Sequence, residues 1–174
     1  WARCLGLLGL AADAGAQVHP GARLRHGPGC ALGARSILYR DVQILATAGG
    51  RFSIGRDSHI APGAYLLVGA QQLHIGDDVA IGPGLMLFCE SNEVCGEGIF
   101  RQQYRRADVR IGSNVFIGAR VTVLPGAVIE DRVAVAAHAV VTGRLASGWL
   151  YGGMPARPLR KLNGTEPDVE GASA

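Results

Sequence analysis

Residues Val109–Val141 read VRIGSNVFIGARVTVLPGAVIEDRVAVAAHAVV, and the spacing inside this run decides the fold. An aliphatic side chain returns every six residues, at Ile111, Ile117, Val123, Ile129, Val135 and Val141. The residue after the marker is usually small, as at Gly112, Gly118 and Ala136. A second apolar side chain sits two positions before it, as at Val109, Val115, Val121 and Val133. Two apolar positions with one residue between them are the in-and-out alternation of a short strand, and the small residue marks a tight corner. An α-helix cannot sustain a six-residue period with glycine in its turns. Three such units close one triangular coil of roughly eighteen residues, and stacked coils bury a continuous aliphatic column, as in any solenoid.

Outward from this run the period weakens. It is present at Ile75, Ile81 and Leu87, and the earlier chain steps through Val18, Leu24, Cys30, Ser36, Val42, Ala48, Ile54, Ile60 and Leu66. A three-residue slip at Val68–Gln71 reads as a corner bulge. Composition agrees with a β-solenoid: 48% of the 174 residues are hydrophobic, yet aromatics are only 6% and glycines number 26. Val, Ile, Leu and Ala must fill the core, with glycine at fixed backbone positions.

The fold expected is all-β, a parallel β-helix with one domain core. Its parts are a lead segment over 1–17, the β-helix over 18–145, a capping segment over 146–162 and a disordered tail over 163–174. The segment Phe88 to Asp108, FCESNEVCGEGIFRQQYRRAD, has no hexad signal and lies between well-formed coils, so it must leave the stack as a loop. Pro155 and Pro158 forbid continued stacking, and a short cap, helical from Arg157, is expected to cover the open end.

The formal charge of +3 suits an anionic ligand but is too weak for nucleic acid. Cys4, Cys30, Cys89 and Cys95 show no metal-ligand spacing and fit reduced thiols of a cytoplasmic protein, with a Cys89–Cys95 disulfide left open. No secretory signal is read. The apolar Trp1–Leu10 stretch is about half of the ~20 residues a membrane-spanning helix needs, so no integral membrane segment is expected. The chain begins without methionine, which leaves the native N-terminus open.

The run IGSNVFIGARVTVLPGAVI, followed by YGGMPARPLRKL, resembles the hexapeptide-repeat acyltransferases, among them the galactoside, maltose and serine O-acetyltransferases and enzymes that acetylate polysaccharides. The resemblance extends over about Arg51 to Leu162 and is strongest from Val109. It implies a left-handed β-helix, an exception to the usual right-handed crossover, and a homotrimer with sites between subunits. It also implies an acyl-CoA donor, acetyl-CoA or another, no metal, and a saccharide or small-molecule acceptor. Carried onto this chain, the donor path passes Phe116, Ala119, Ala137, His138 and Thr142. Arg157, Arg160 and Lys161 meet the CoA phosphates, where charge-assisted hydrogen bonds are strong. The same small residues are equally explained by tight corners, and the basic trio by a solvated cap.

In the family a histidine near the foot of the loop is the general base. Here the corresponding stretch is Ser91-Asn92-Glu93, and glutamate stands in its place. Three readings stay open: Glu93, beside Asn92, serves as the base; His59 or His74 reaches the site from the same or a neighbouring subunit; or the chain keeps the scaffold without the chemistry, as a non-catalytic trimer. A carboxylate can act as base when its surroundings raise its pKa. Ala64, Gly69 and Ala70 stand where sugar-acetylating relatives carry their hydroxyl-binding Asn and Asp, so the usual sugar clamp is absent. A zinc-dependent hydratase on a similar helix needs three converging histidines, and His59 and His74 lack the closely spaced partner.

Overall fold

The computed structural model describes residues 10–47, 49–95 and 97–163. Short parallel strands stack into three flat sheets that form the faces of a triangular prism. Each coil contributes one strand to faces I, II and III in turn. Coil 1 holds β1 (Ala11–Ala12), β2 (Gln17–Val18) and β3 (Arg23–Arg25); coil 2 holds β4 (Ala31–Leu32), β5 (Ile37–Leu38) and β6 (Gln43–Ala46). Coil 3 holds β7 (Arg51–Ile54), β8 (His59–Ile60) and β9 (Tyr65–Gly69), and coil 4 holds β10 (Gln72–Ile75), β11 (Ala80–Ile81) and β12 (Met86–Phe88). A hairpin of β13 (Glu90–Asn92) and β14 (Tyr104–Arg106) then leaves the prism. Coil 5 resumes with β15 (Val109–Ile111), β16 (Phe116–Ile117) and β17 (Thr122–Val123). Coil 6 holds β18 (Val128–Ile129), β19 (Ala134–Val135) and β20 (Val140–Val141). The end is closed by β21 (Arg144–Leu145), β22 (Trp149–Gly152) and β23 (Arg157–Lys161).

Inside the prism the markers pair strand on strand. Leu38, Ile60, Ile81, Ile117, Val135 and Tyr151 make one such column, all buried. Burial of each aliphatic side chain contributes on the order of 1.5–3 kcal/mol, so the column fixes coil register. The small residue after the marker exists because the next coil lies on the corner: a Cβ at Gly112 would sit 2.3 Å from Asp131 Oδ1. That oxygen accepts the Ser113 N–H at 2.8 Å, which ties the two coils together.

The early register differs from the expected one. The residues in line with Ile54, Ile60 and Leu66 are Leu32, Leu38 and Ile44, not Cys30, Ser36 and Val42. The latter occupy the interior position two residues earlier and are equally buried, so a hydrophobic count could not separate the two phases. Ser36 tolerates burial because its hydroxyl donates to the Gly33 carbonyl at 2.7 Å. Ala48 and Cys4 lie outside the described residues. Stacking also starts earlier than 18, since β1 already pairs with β4 from Ala11. The slip near Val68–Gln71 is a corner in which Gly69 takes φ +61°.

At the far end the expected helix is a strand. β23 runs antiparallel to β22, with a register shift between Leu150 and Tyr151. Pro158, which lacks an N–H, cannot enter a helix interior but fits this terminal strand. The Tyr151 hydroxyl accepts from Ala146 N–H at 2.8 Å and donates back to the Ala146 carbonyl at 3.2 Å. Ala156 N–H bonds the Val140 carbonyl, so the cap crosses the last strand of face III. Cys30, Cys89 and Cys95 are free thiols, and no Cys89–Cys95 disulfide forms.

Candidate functional site

The hairpin springs from the edge between faces III and I. Its root is closed by Cys89, fully buried, whose carbonyl accepts the Ala107 N–H at 2.9 Å. Burial pushes the Cys89 thiol up to about 12, so it stays protonated and inert. Glu90 and Arg106 face each other across the hairpin and pair at 3.2 Å, and the Arg106 guanidinium lies 4.8 Å over the Tyr104 ring. Asn92 is spent on the loop itself: its Nδ2 donates to the carbonyls of Phe100, at 3.0 Å, and Gln103, at 3.4 Å. These bonds hold the 3₁₀ turn Phe100–Gln102, while Glu93 N–H also bonds the Gln103 carbonyl. Asn92 thus positions its neighbour.

Between the hairpin foot and the last coils lies an open cleft of about 280 Å³. Ser91, Asn92, Glu93, Val94 and Arg105 line one wall; Leu124, Pro125 and Thr142 line the other. Glu93, Asn92 and Thr142, singled out in the sequence, therefore meet in one place. Arg105 was not singled out, and neither was the Leu124-Pro125 corner as a wall. The signal for Arg105 was cross-strand: it sits opposite Ser91 in the hairpin register.

The other candidates divide between two places. Phe116, exposed, shares a row on face II with Ala134, Leu150 and Arg160. Arg157 and Lys161 lie on the same terminal strand, and the Lys161 ammonium stands 5.6 Å from the Trp149 ring centre. Ala119, Ala137 and His138 share the edge between faces II and III, where His138 N–H bonds the Ala119 carbonyl at 2.9 Å. His138 is an exposed corner residue at φ +62°, a conformation tolerated by few non-glycine residues. Thr142 was expected on this edge. It follows β20 instead, at the opposite side of face III, because one strand carries the chain across that face.

Neither histidine candidate enters the cleft within this chain. His59 lies on face II, its ring 6.1 Å from that of Tyr39. His74 lies on face I, where its Nδ1 is 2.9 Å from the Ser53 hydroxyl. Burial first, and Arg110 second, hold its imidazole below the usual range. Of the three positions expected to lack the sugar clamp, Ala64 is interior and cannot touch an acceptor, whereas Gly69 adjoins Glu90 at the hairpin root. Among the described residues no three His, Cys, Asp or Glu side chains converge on one point, and no helix is long and apolar enough to cross a membrane.

The bacterial transferase hexapeptide pattern (six repeats) matches residues 108–143, the span of coils 5 and 6. Over this stretch the chain is similar to the bacterial transferase hexapeptide family. The chain is 30% identical to the galactoside O-acetyltransferase of Escherichia coli K12 over 117 residues, covering 64% of this chain and 58% of that enzyme. It is 42% identical over 55 residues to the putative lipopolysaccharide biosynthesis O-acetyl transferase WbbJ of the same organism, covering 32% of this chain and 28% of that protein. The chain thus spans less than two thirds of either relative. Its fold is shared with AntD, an N-acyltransferase from Bacillus cereus solved with dTDP and 3-hydroxybutyryl-CoA: TM-score 0.79, 21% identity, covering 91% of this chain and 87% of that one. A hexapeptide-repeat acetyltransferase from Vibrio cholerae, solved with acetyl-CoA, superposes with TM-score 0.60 at 24% identity, covering 92% and 74%.

Proposed function

We propose that this chain transfers an acyl group from an acyl-CoA thioester to a hydroxyl or amine of a sugar, a polysaccharide precursor or a small metabolite. The observation that carries the reading is the cleft at the hairpin foot, where Glu93 stands against the Leu124-Pro125 corner and Thr142. The hexapeptide pattern over residues 108–143 and the likeness to acetyltransferases support the same chemistry.

In this account the Glu93 carboxylate takes the proton of the acceptor as its oxygen or nitrogen attacks the thioester carbonyl. The tetrahedral intermediate collapses, the carbon–sulfur bond breaks, and the proton returns to the departing CoA thiolate. Arg105 supplies positive charge beside the developing oxyanion. The donor runs along the late coils, with Phe116 beside the pantetheine arm and Arg157, Arg160 and Lys161 on its phosphates. Ala119, Ala137 and His138 lie across face III from the cleft, so one chain does not complete this path. A homotrimer does, when the edge carrying His138 in one protomer faces the hairpin edge of the next.

The test is calorimetric titration with acetyl-CoA and with free CoA, on wild type and on an Arg160→Ala variant. Micromolar binding is expected, weakened about tenfold or more in the variant, since a charge-assisted phosphate contact contributes about 1.5–3 kcal/mol. Glu93→Gln is expected to bind acetyl-CoA normally and to lose about 10²–10⁴-fold in CoA release with an acceptor panel. Absence of binding in folded trimer would contradict the transferase reading and favour a scaffold.

A further inference from the structure

On face I, two coils before the end of the stack, a recess of about 320 Å³ is lined by Gly29, Arg51, Ser53, Gln72, His74 and Arg110, with Phe52 and Leu73 beneath. It borders the same edge as the hairpin. We propose that this recess is a subsite for the diphosphate group of an ester, held by Arg51 and Arg110 over a floor of Ser53 and His74.

The case begins with the backbone. Ser53, His74 and Arg110 are direct lateral partners on three consecutive strands, and Arg51 pairs with Gln72 in the adjoining row. Neighbouring strands lie about 4.8 Å apart and residues about 3.3 Å apart along a strand, so the two arginines, two strands and two residues apart, are rooted roughly 12 Å from each other at opposite corners of the recess. Two guanidinium groups rooted at separate corners match the paired phosphoryl groups of a diphosphate better than a single one. Arg51 is guided by Gly29, where φ is +86° and a Cβ would come within 3.2 Å of the Arg51 Nε. Any side chain at Gly29 would crowd that guanidinium.

Charge pairing sets these arginines apart from their neighbours. Arg35 and Arg56, at the edge between faces I and II, are bonded to Asp57 and Asp77, and Arg144 on face I is bonded to Glu130. Among the described residues no carboxylate lies within ion-pair reach of Arg51 or Arg110. Asp108, two residues before Arg110 in the chain, is turned to the backbone, its Oδ1 accepting the Gln72 N–H at 2.8 Å. Guanidinium forks match phosphate oxygens in geometry, and a neutral hydroxyl and imidazole add donors without repelling the anion. The depressed basicity of His74, caused in part by Arg110, is consistent with a recess whose field is positive. The site is distinct from the basic strand β23, which closes face II at the end of the prism. The inference stands whether or not the donor chemistry proposed above is correct.

The experiment titrates inorganic phosphate, pyrophosphate and UDP into wild type, Arg51→Gln, Arg110→Gln and Arg160→Ala at one fixed ionic strength, with thermal melts to confirm equal folding. Pyrophosphate is expected to bind at least tenfold tighter than phosphate, and UDP at least as tightly as pyrophosphate. Arg51→Gln and Arg110→Gln should each weaken both about tenfold or more, while Arg160→Ala changes them less than twofold and Arg110→Gln leaves acetyl-CoA binding unchanged. No pyrophosphate binding, equal affinity for phosphate and pyrophosphate, weaker binding of UDP than of pyrophosphate, or a loss in Arg160→Ala matching that in Arg110→Gln would each overturn the assignment.

Discussion

Two edges of the prism are constant and the third is not. From face I to face II the aligned interior residues are always six apart, as in Leu32 to Leu38, Ile75 to Ile81 and Ile129 to Val135. From face II to face III the step is again six, as in Ile60 to Leu66 and Ile117 to Val123. From face III back to face I it is eight from Leu24 to Leu32, ten from Ile44 to Ile54, nine from Leu66 to Ile75 and twenty-four from Leu87 to Ile111. Only from Val123 to Ile129 does it return to six. Every insertion in the described chain falls on one edge. Stacked corners bonded coil to coil forbid extra residues at the other two. A surface excursion costs little loop entropy, about 0.6 kcal/mol per doubling of its length. The hairpin, the cleft at its foot and the arginine recess all adjoin the edge that is free to vary, so the acceptor-side chemistry proposed for this chain sits at a different corner from the bonds that hold coil register.

The largest expected effect breaks the comparison outright. A Gly-Ser pair inserted after Asn114, on a constant edge, interrupts the bonds Asn114 N–H to Asp77 O and Arg132 N–H to Ser113 O. It should cost about 3 kcal/mol or more once corner strain is added to the lost hydrogen bonds. The same pair after Gly49, on the variable edge, should cost under about 1 kcal/mol. Denaturant melts of the two variants give the difference directly, and equal losses would refute the distinction between edges.

A smaller effect sharpens it at single-residue scale. Gly112→Ala should destabilise by about 1–3 kcal/mol, because the new Cβ meets Asp131, including its backbone nitrogen at 2.7 Å. Gly143→Ala, on the variable edge with no atom within 4 Å of its would-be Cβ and no positive φ, should be neutral or slightly stabilising.

The smallest concerns His74. Its folded-state basicity is depressed, by burial and then by Arg110, against a weak opposing pull from Asp77. The unfolded chain therefore binds the proton more readily, and stability falls as pH drops through about 6.5 and on past the lower folded value. His74→Gln should narrow the difference in melting temperature between about pH 8 and pH 5. An unchanged difference would show that the imidazole is not held neutral.

The late coils were legible because their period is unbroken: Ile111 through Val141 needs no gap. The early coils were misphased because each inserts two to four residues at one corner, and an interior side chain two positions earlier, Cys30 or Val42, satisfies the same hydrophobic count. The terminal helix was misread because Pro155 and Pro158 say only that stacking stops, not that the chain turns back as an antiparallel strand. In the candidate cleft, the presence of Glu93 and Thr142 was reachable by resemblance. Arg105 and the Arg51–Arg110 pair were not, since their neighbours are set by strand register across coils rather than by nearness in the chain.

The most direct measurement removes the hairpin. A variant joining Cys89 to Ala107 through two glycines keeps the root hydrogen bond and every interior column while deleting Glu93 and Arg105. The account predicts a melting temperature within a few degrees of wild type, acetyl-CoA binding retained through the late coils, and acyl transfer to any acceptor abolished. An unfolded variant, or one that still transfers at the wild-type rate, would contradict a constant prism whose proposed base and acceptor cleft lie on the variable edge.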